Sequence, residues 1–280
     1  MNVEERNSQP PSTRAVGLHL MPLITEIDGR RPSVLATLDE DARLTSLERL
    51  DSDAAIATAI GQGPALVCVD QPLVIGNLQG QRALEQLLSW CDAPTLPISV
   101  SRLESLYGGC RGVQLADQLA GGDLTLAEAF PDLTLRQLIW EYEHPGPIDL
   151  ERYRGRWLNL RAPKYRPKGA GRARTPGLLP AWEILARVID MNGWTPGAAG
   201  DDWDAIADAA KLDAIICAHA AWRALRGHNA HRTVRCADGA LAVIATGPNL
   251  AERLEIHAER MGGIIISPLR PGDDRPRIPA

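Results

Sequence analysis

The sequence predicts one layered α/β domain. Three features predict it: three antiparallel-looking strands at the start, a short unbroken apolar run (ALVCV) suited to a strand buried on both faces, and strands alternating with helical spacings after that. At ~100–200 residues per domain, 280 residues allow one large unit. With 45% hydrophobic residues and a single Phe, its core must be aliphatic.

The elements follow in order. Residues 1–13 and 268–280 are rich in Pro and charge and are expected to be disordered around a domain over 14–267. Residues 14–20 (RAVGLHL) read as the first strand, with a continuation toward Ile27 ahead of the turn signal Asp28-Gly29. Residues 33–38 and 44–50 read as a hairpin across Asp39-Glu40-Asp41. Asp51 or Ser52 can cap a helix over 54–60 that ends at Gly61. The strand PALVCV is closed by Asp70 and Pro72. Helical spacing over 80–90 places Ala83, Leu84, Leu87 and Leu88 together, and 103–119 reads as helix broken near 109–112. Residues 124–131 (LTLAEAFP) read as a strand stopped by Pro131. Residues 145–180, dense in Gly and Pro, read as a long basic excursion. A long helix over 202–226 precedes a strand at 241–245, a helix at 251–261 and the apolar run GGIIIS. His228 and His231 fall in a loop after Gly227, with no third ligand near them in sequence.

Composition excludes several classes. Thirty basic against 35 acidic residues give a net charge of −5, which excludes a globally basic nucleic-acid coat. Five widely spaced cysteines without a CxxC pair argue against a disulfide framework or zinc knuckle and for a reducing cytosol. No apolar run approaches ~20 residues and no signal-peptide core is present, so the expectation is a cytoplasmic protein. Motifs for dinucleotide or P-loop binding are missing, as are HExxH and GxSxG.

Three carboxylates remain as candidates. Asp213 shares a helix face with Ile206, Ala209, Ala210, Cys217, Ala220 and Ala224, a small apolar stripe in which a buried charge needs a partner or a metal. Asp70 ends a central strand, at the sheet edge where open α/β sheets bind ligands. Glu128 ends another strand. Converging on one point, these groups would repel one another and call for Mg²⁺ or Mn²⁺, and two such ions ~4 Å apart would suit phosphodiester cleavage. Residues 152–174 add nine Lys or Arg and no acid, with Tyr153, Trp157 and Tyr165 interleaved, a combination suited to phosphate contact and stacking on unpaired bases.

VCVDQPL followed by a helix bearing Arg82, then LAEAFP, KYRPK and LDAIICAHAAW, in this order and spacing, resemble the DUF429 family of predicted nucleases. The similarity covers residues 15–225. It implies a ribonuclease H-like fold, a mixed five-stranded sheet flanked by helices, with acidic residues over its middle. It also implies a metal-dependent nuclease acting on DNA or RNA, with Asp70, Glu128 and Asp213 on the metal and Lys164, Arg166, Lys168 and Arg82 toward the substrate. Family members begin with a strand ending in Gly-hydrophobic-Asp, whereas here Gly17-Leu18-His19 stands there. His19 would then be a variant ligand or proton carrier, weakening two-metal binding or shifting preference toward Mn²⁺. The alternative is a catalytically decayed module on the same fold that binds nucleic acid or a protein partner.

Overall fold

Residues Arg14–His19 form β1, which runs antiparallel to β2 (Ser33–Leu38). β2 turns back into β3 (Leu44–Leu50) through the acidic turn. Helix α1 (Asp53–Ile60) starts where the Ser52 side chain accepts the Ala55 N–H and ends at Gly61, as the cap pattern requires. The apolar run becomes β4 (Ala65–Val69), buried throughout and parallel to β1. Helices α2 (Ala83–Trp90), α3 (Val100–Tyr107) and α4 (Arg111–Leu119) follow, the last two separated at the expected break. β5 (Leu124–Ala129) lies parallel to β4.

The structure, a computed structural model, describes residues 13–22, 33–61, 63–93, 95–120, 123–143, 150–166, 176–197, 202–228, 231–246 and 248–267, with side chains left out for 150–154, 202–205 and 248–251. The expected terminal disorder, the continuation to Ile27 with its turn, and Lys168 lie outside the described residues. Helix α5 (Pro131–Glu143) begins at the proline expected only to stop a strand, because proline is well suited to the first helical position. The excursion also contains a helix, α6 (Leu150–Asn159), and its end runs into α7 (Leu178–Leu185).

Helix α8 (Asp202–Leu225) leads to β6 (His231–Cys236), which contains the histidine expected in a loop. β6 is antiparallel to both β7 (Leu241–Ala245) and β8 (Ile264–Ser267), and α9 (Pro248–Met261) joins those two. Among the described residues the sheet order is β3-β2-β1-β4-β5-β7-β6-β8, a mixed sheet of eight strands where five were expected. β7 meets β5 where Ala242 stands beside Glu128. Helices cover the sheet, giving a mixed α/β architecture.

The packing of α8 on β1 decides where Asp213 sits. A Cβ on Gly17 would lie 2.1 Å from both the Ala214 carbonyl oxygen and the Ala218 amide nitrogen. Only glycine lets the helix backbone come this close. The small stripe makes the rest of the contact: Ala209, Ala210, Cys217, Ala220 and Ala224 are all buried. Among the described residues, no helix is long and apolar enough to cross a membrane.

Candidate metal centre

Strand register brings His19 and Asp70 together. In the parallel β1–β4 pair, Leu18 stands opposite Val69, so one step further along each chain sets His19 beside Asp70. The His19 Nδ1 lies 2.6 Å from Asp70 Oδ2. The other Asp70 oxygen accepts the Leu20 N–H at 2.9 Å, fixing the carboxylate against the end of β1. From above, α8 lowers Asp213 until its Oδ2 is 3.6 Å from His19 Nδ1. One ligating atom from each of His19, Asp70 and Asp213 can be chosen so that all three lie within 4.8 Å of one another, and among the described residues this is the cluster of metal-ligating type.

Asp213 is 1% exposed and heavily engaged. Its Oδ1 accepts from the Tyr165 hydroxyl at 2.6 Å and from Arg166 Nη2 at 2.6 Å, and its Oδ2 accepts from Arg166 Nε at 2.8 Å. The sequence singled out Tyr165 as a stacking platform, but Tyr165 and Trp157 are both 1% exposed and present no ring to a base. That expectation is corrected: Tyr165 orients Asp213, and Trp157 packs edge-on against Trp140. Burial, with the Asp213 charge beside it, pushes the Tyr165 hydroxyl well above its usual range, so it remains a donor.

Glu128 does not join the cluster. In β5 it stands opposite Val69, while its neighbours Ala127 and Ala129 pack on the face covered by α8. Successive strand residues point to opposite faces, so Glu128 is turned away from Asp70 although both end central strands. It is held instead by Arg82, whose Nη1 and Nη2 donate to its two oxygens at 2.7 and 2.8 Å, and by the Leu73 N–H at 2.9 Å. Arg82 also donates to Glu85 and is 3% exposed. This corrects two assignments: Arg82 cannot reach a substrate, and Glu128 neutralises it rather than a metal. Burial leaves the Glu128 carboxyl above its ordinary range despite the guanidinium.

Of the basic residues expected at the substrate, Arg166 is exposed and bonded to Asp213 at the cluster, and Lys164 is exposed two residues before it. Arg166 also reaches Asp132, with Nη1 3.1 Å from its carboxylate. Burial opposes charge on His19, but the carboxylates of Asp70 and Asp213 outweigh it and hold the imidazole above its ordinary value. The cluster thus sets two carboxylates against the Arg166 guanidinium and an imidazole whose protonated form they favour. Cys217, one turn along α8 from Asp213, is fully buried and its thiol is held well above its usual range by that burial.

The chain matches none of the protein-family models, curated proteins or solved structures with which it was compared.

Proposed function

We propose that the protein is a metal-dependent phosphodiester hydrolase acting on nucleic acid, built on a ribonuclease H-like sheet, and that it uses one divalent ion rather than two. The observation that supports this reading is the convergence of His19, Asp70 and Asp213, from two adjacent strand ends and one packed helix, with one ligating atom of each within 4.8 Å of the others. Ligands at 2.0–2.2 Å around one ion stand ~3 Å apart when adjacent and ~4 Å when opposite. The 3.6 Å between His19 Nδ1 and Asp213 falls within that spacing, whereas the 2.6 Å contact with Asp70 is a hydrogen bond that must open slightly to admit an ion. With Glu128 committed to Arg82, a second ion lacks its carboxylate. An imidazole among the ligands favours Mn²⁺ over Mg²⁺.

A bound ion would supply an activated water and neutralise charge on the phosphate. The chain's own groups do the remaining work. Leu20 N–H and Tyr165 hold the two carboxylates in place, and Arg166 and Lys164 offer positive charge where the phosphate of a substrate would lie. The test is cleavage of single-stranded and structured DNA and RNA by purified protein with Mn²⁺. Wild type should cleave, and Asp70→Asn and Asp213→Asn should not; equal background rates would refute the proposal.

One observation favours a second reading. His19 and Arg166 already balance the two carboxylates, as expected of a decayed site that binds nucleic acid or a protein partner without turnover. Such a site would give no heat on titration with millimolar Mn²⁺.

A further inference from the structure

Arg166 occupies the charge that a cation would otherwise satisfy. Both oxygens of Asp213 accept from its guanidinium, at 2.6 and 2.8 Å, in the two-pronged arrangement that makes arginine–carboxylate pairs strong. A metal ion claiming Asp213 must therefore displace this group or share the carboxylate with it.

The backbone beneath Arg166 is held while its side chain is not. Tyr165 is buried and bonded to Asp213. A Cβ on Gly177 would lie 2.7 Å from three backbone atoms of Lys164, so the returning chain clamps this segment from the other side. The Arg166 side chain, by contrast, is 43% exposed, and its outer partner Asp132 is 67% exposed. The base is fixed and the guanidinium can swing toward solvent. Lys164 beside it is exposed, with no ion-pair partner among the described residues.

We propose that Arg166 is a phosphate-released latch on Asp213: the phosphate of a nucleic-acid ligand draws the guanidinium away and frees Asp213 to bind the cation. Its premise is the cation site proposed above. The metal and the phosphate-bearing ligand then bind cooperatively, each raising the affinity of the other by the same factor. Guanidinium is suited to this exchange because phosphate and carboxylate accept from it in the same forked geometry.

The test is calorimetric titration of Mn²⁺ into wild type, Arg166→Gln and Asp132→Asn, each alone and with a short phosphorothioate oligothymidylate that resists cleavage. Arg166→Gln should bind Mn²⁺ about tenfold more tightly than wild type, within the ~5–150-fold of ordinary coupling. Asp132→Asn, which keeps both Arg166 and Asp213, should show a smaller gain in the same direction. The oligonucleotide should tighten Mn²⁺ binding to wild type and leave Arg166→Gln unchanged. If wild type and both variants bind Mn²⁺ alike, the cation site stands and the latch falls. If none of the three binds Mn²⁺, both fall.

Discussion

Arg82→Met removes the one cation between two buried carboxylates. Arg82, Glu85 and Glu128 are 3%, 0% and 2% exposed, and Arg82 donates to both acids and to the Val74 carbonyl at 2.7 Å. With arginine present the triad carries a net charge of −1; without it, −2, with no solvent to screen it. Breaking a buried pair from one side costs about 3–5 kcal/mol. At ~2–4 °C per kcal/mol for a domain of this size, the melting temperature should fall by about 10 °C. Methionine keeps an unbranched stem in the same space, so the loss reports charge more than volume. Urea denaturation followed by circular dichroism measures it, and repeating the measurement across pH adds a second check. In the variant, Glu128, already raised by burial and now without the guanidinium that opposes this, should hold its proton more tightly folded than unfolded. The deficit is then full above its raised folded value and shrinks as pH falls toward the ordinary carboxylate value of ~4.3. A deficit below about 1 kcal/mol at pH 8, or one that does not change with pH, would refute the assignment of Arg82 as a buried counter-charge.

Gly17→Ala should cost about 3 kcal/mol or more, the upper end for overpacking, because the new methyl meets helix backbone on two sides and no side chain can move aside. An unchanged melting temperature would show that α8 is not pressed onto β1. His19 should titrate above 6.5 in an NMR pH series, and Asp70→Asn should lower its value by removing the principal group that favours the charged form. Because the folded value is raised, the His19–Asp70 pair contributes stability fully below pH 6.5 and loses it as pH rises through the folded value; a wild-type stability curve flat across this window would contradict the pairing. Mn²⁺ binding requires the ring to give up its proton, so affinity should rise with pH over the same window, a slope read directly by titration at several pH values.

The parts of the fold legible in the sequence are those set by local pattern. The acidic turn at 39–41 points to the first hairpin, ALVCV suits a strand covered on both faces, and the alanine stripe around Asp213 suits a closely packed helix. Asp70 and Asp213 were readable for the same reason, each being a charge placed where an apolar pattern predicts burial or a sheet edge. Glu128 was misplaced because end-of-strand position says nothing about which face a residue takes. The alternation of LAEAF, with Ala127 and Ala129 flanking Glu128, becomes informative only once Ala127 is known to lie beside Cys68. Its partner Arg82 is 46 residues away, and no periodicity links the two. Tyr165 and Trp157 were read as exposed because charges surround them in the chain, whereas their burial depends on α5 and α8 folding over them. β6 is hard to read from sequence because HRTVRC opens with three polar residues and lacks clean alternation, although His231, Thr233 and Val234 are buried.

The account stands on a single cation between His19, Asp70 and Asp213. A crystal soaked in Mn²⁺ and measured at the manganese absorption edge tests it most directly. The expected result is one anomalous peak at coordinating distance from His19 Nδ1 and from an oxygen of each aspartate, with none beside Glu128. A cleft without such a peak at millimolar Mn²⁺, with Arg166 still seated on both Asp213 oxygens, would contradict it.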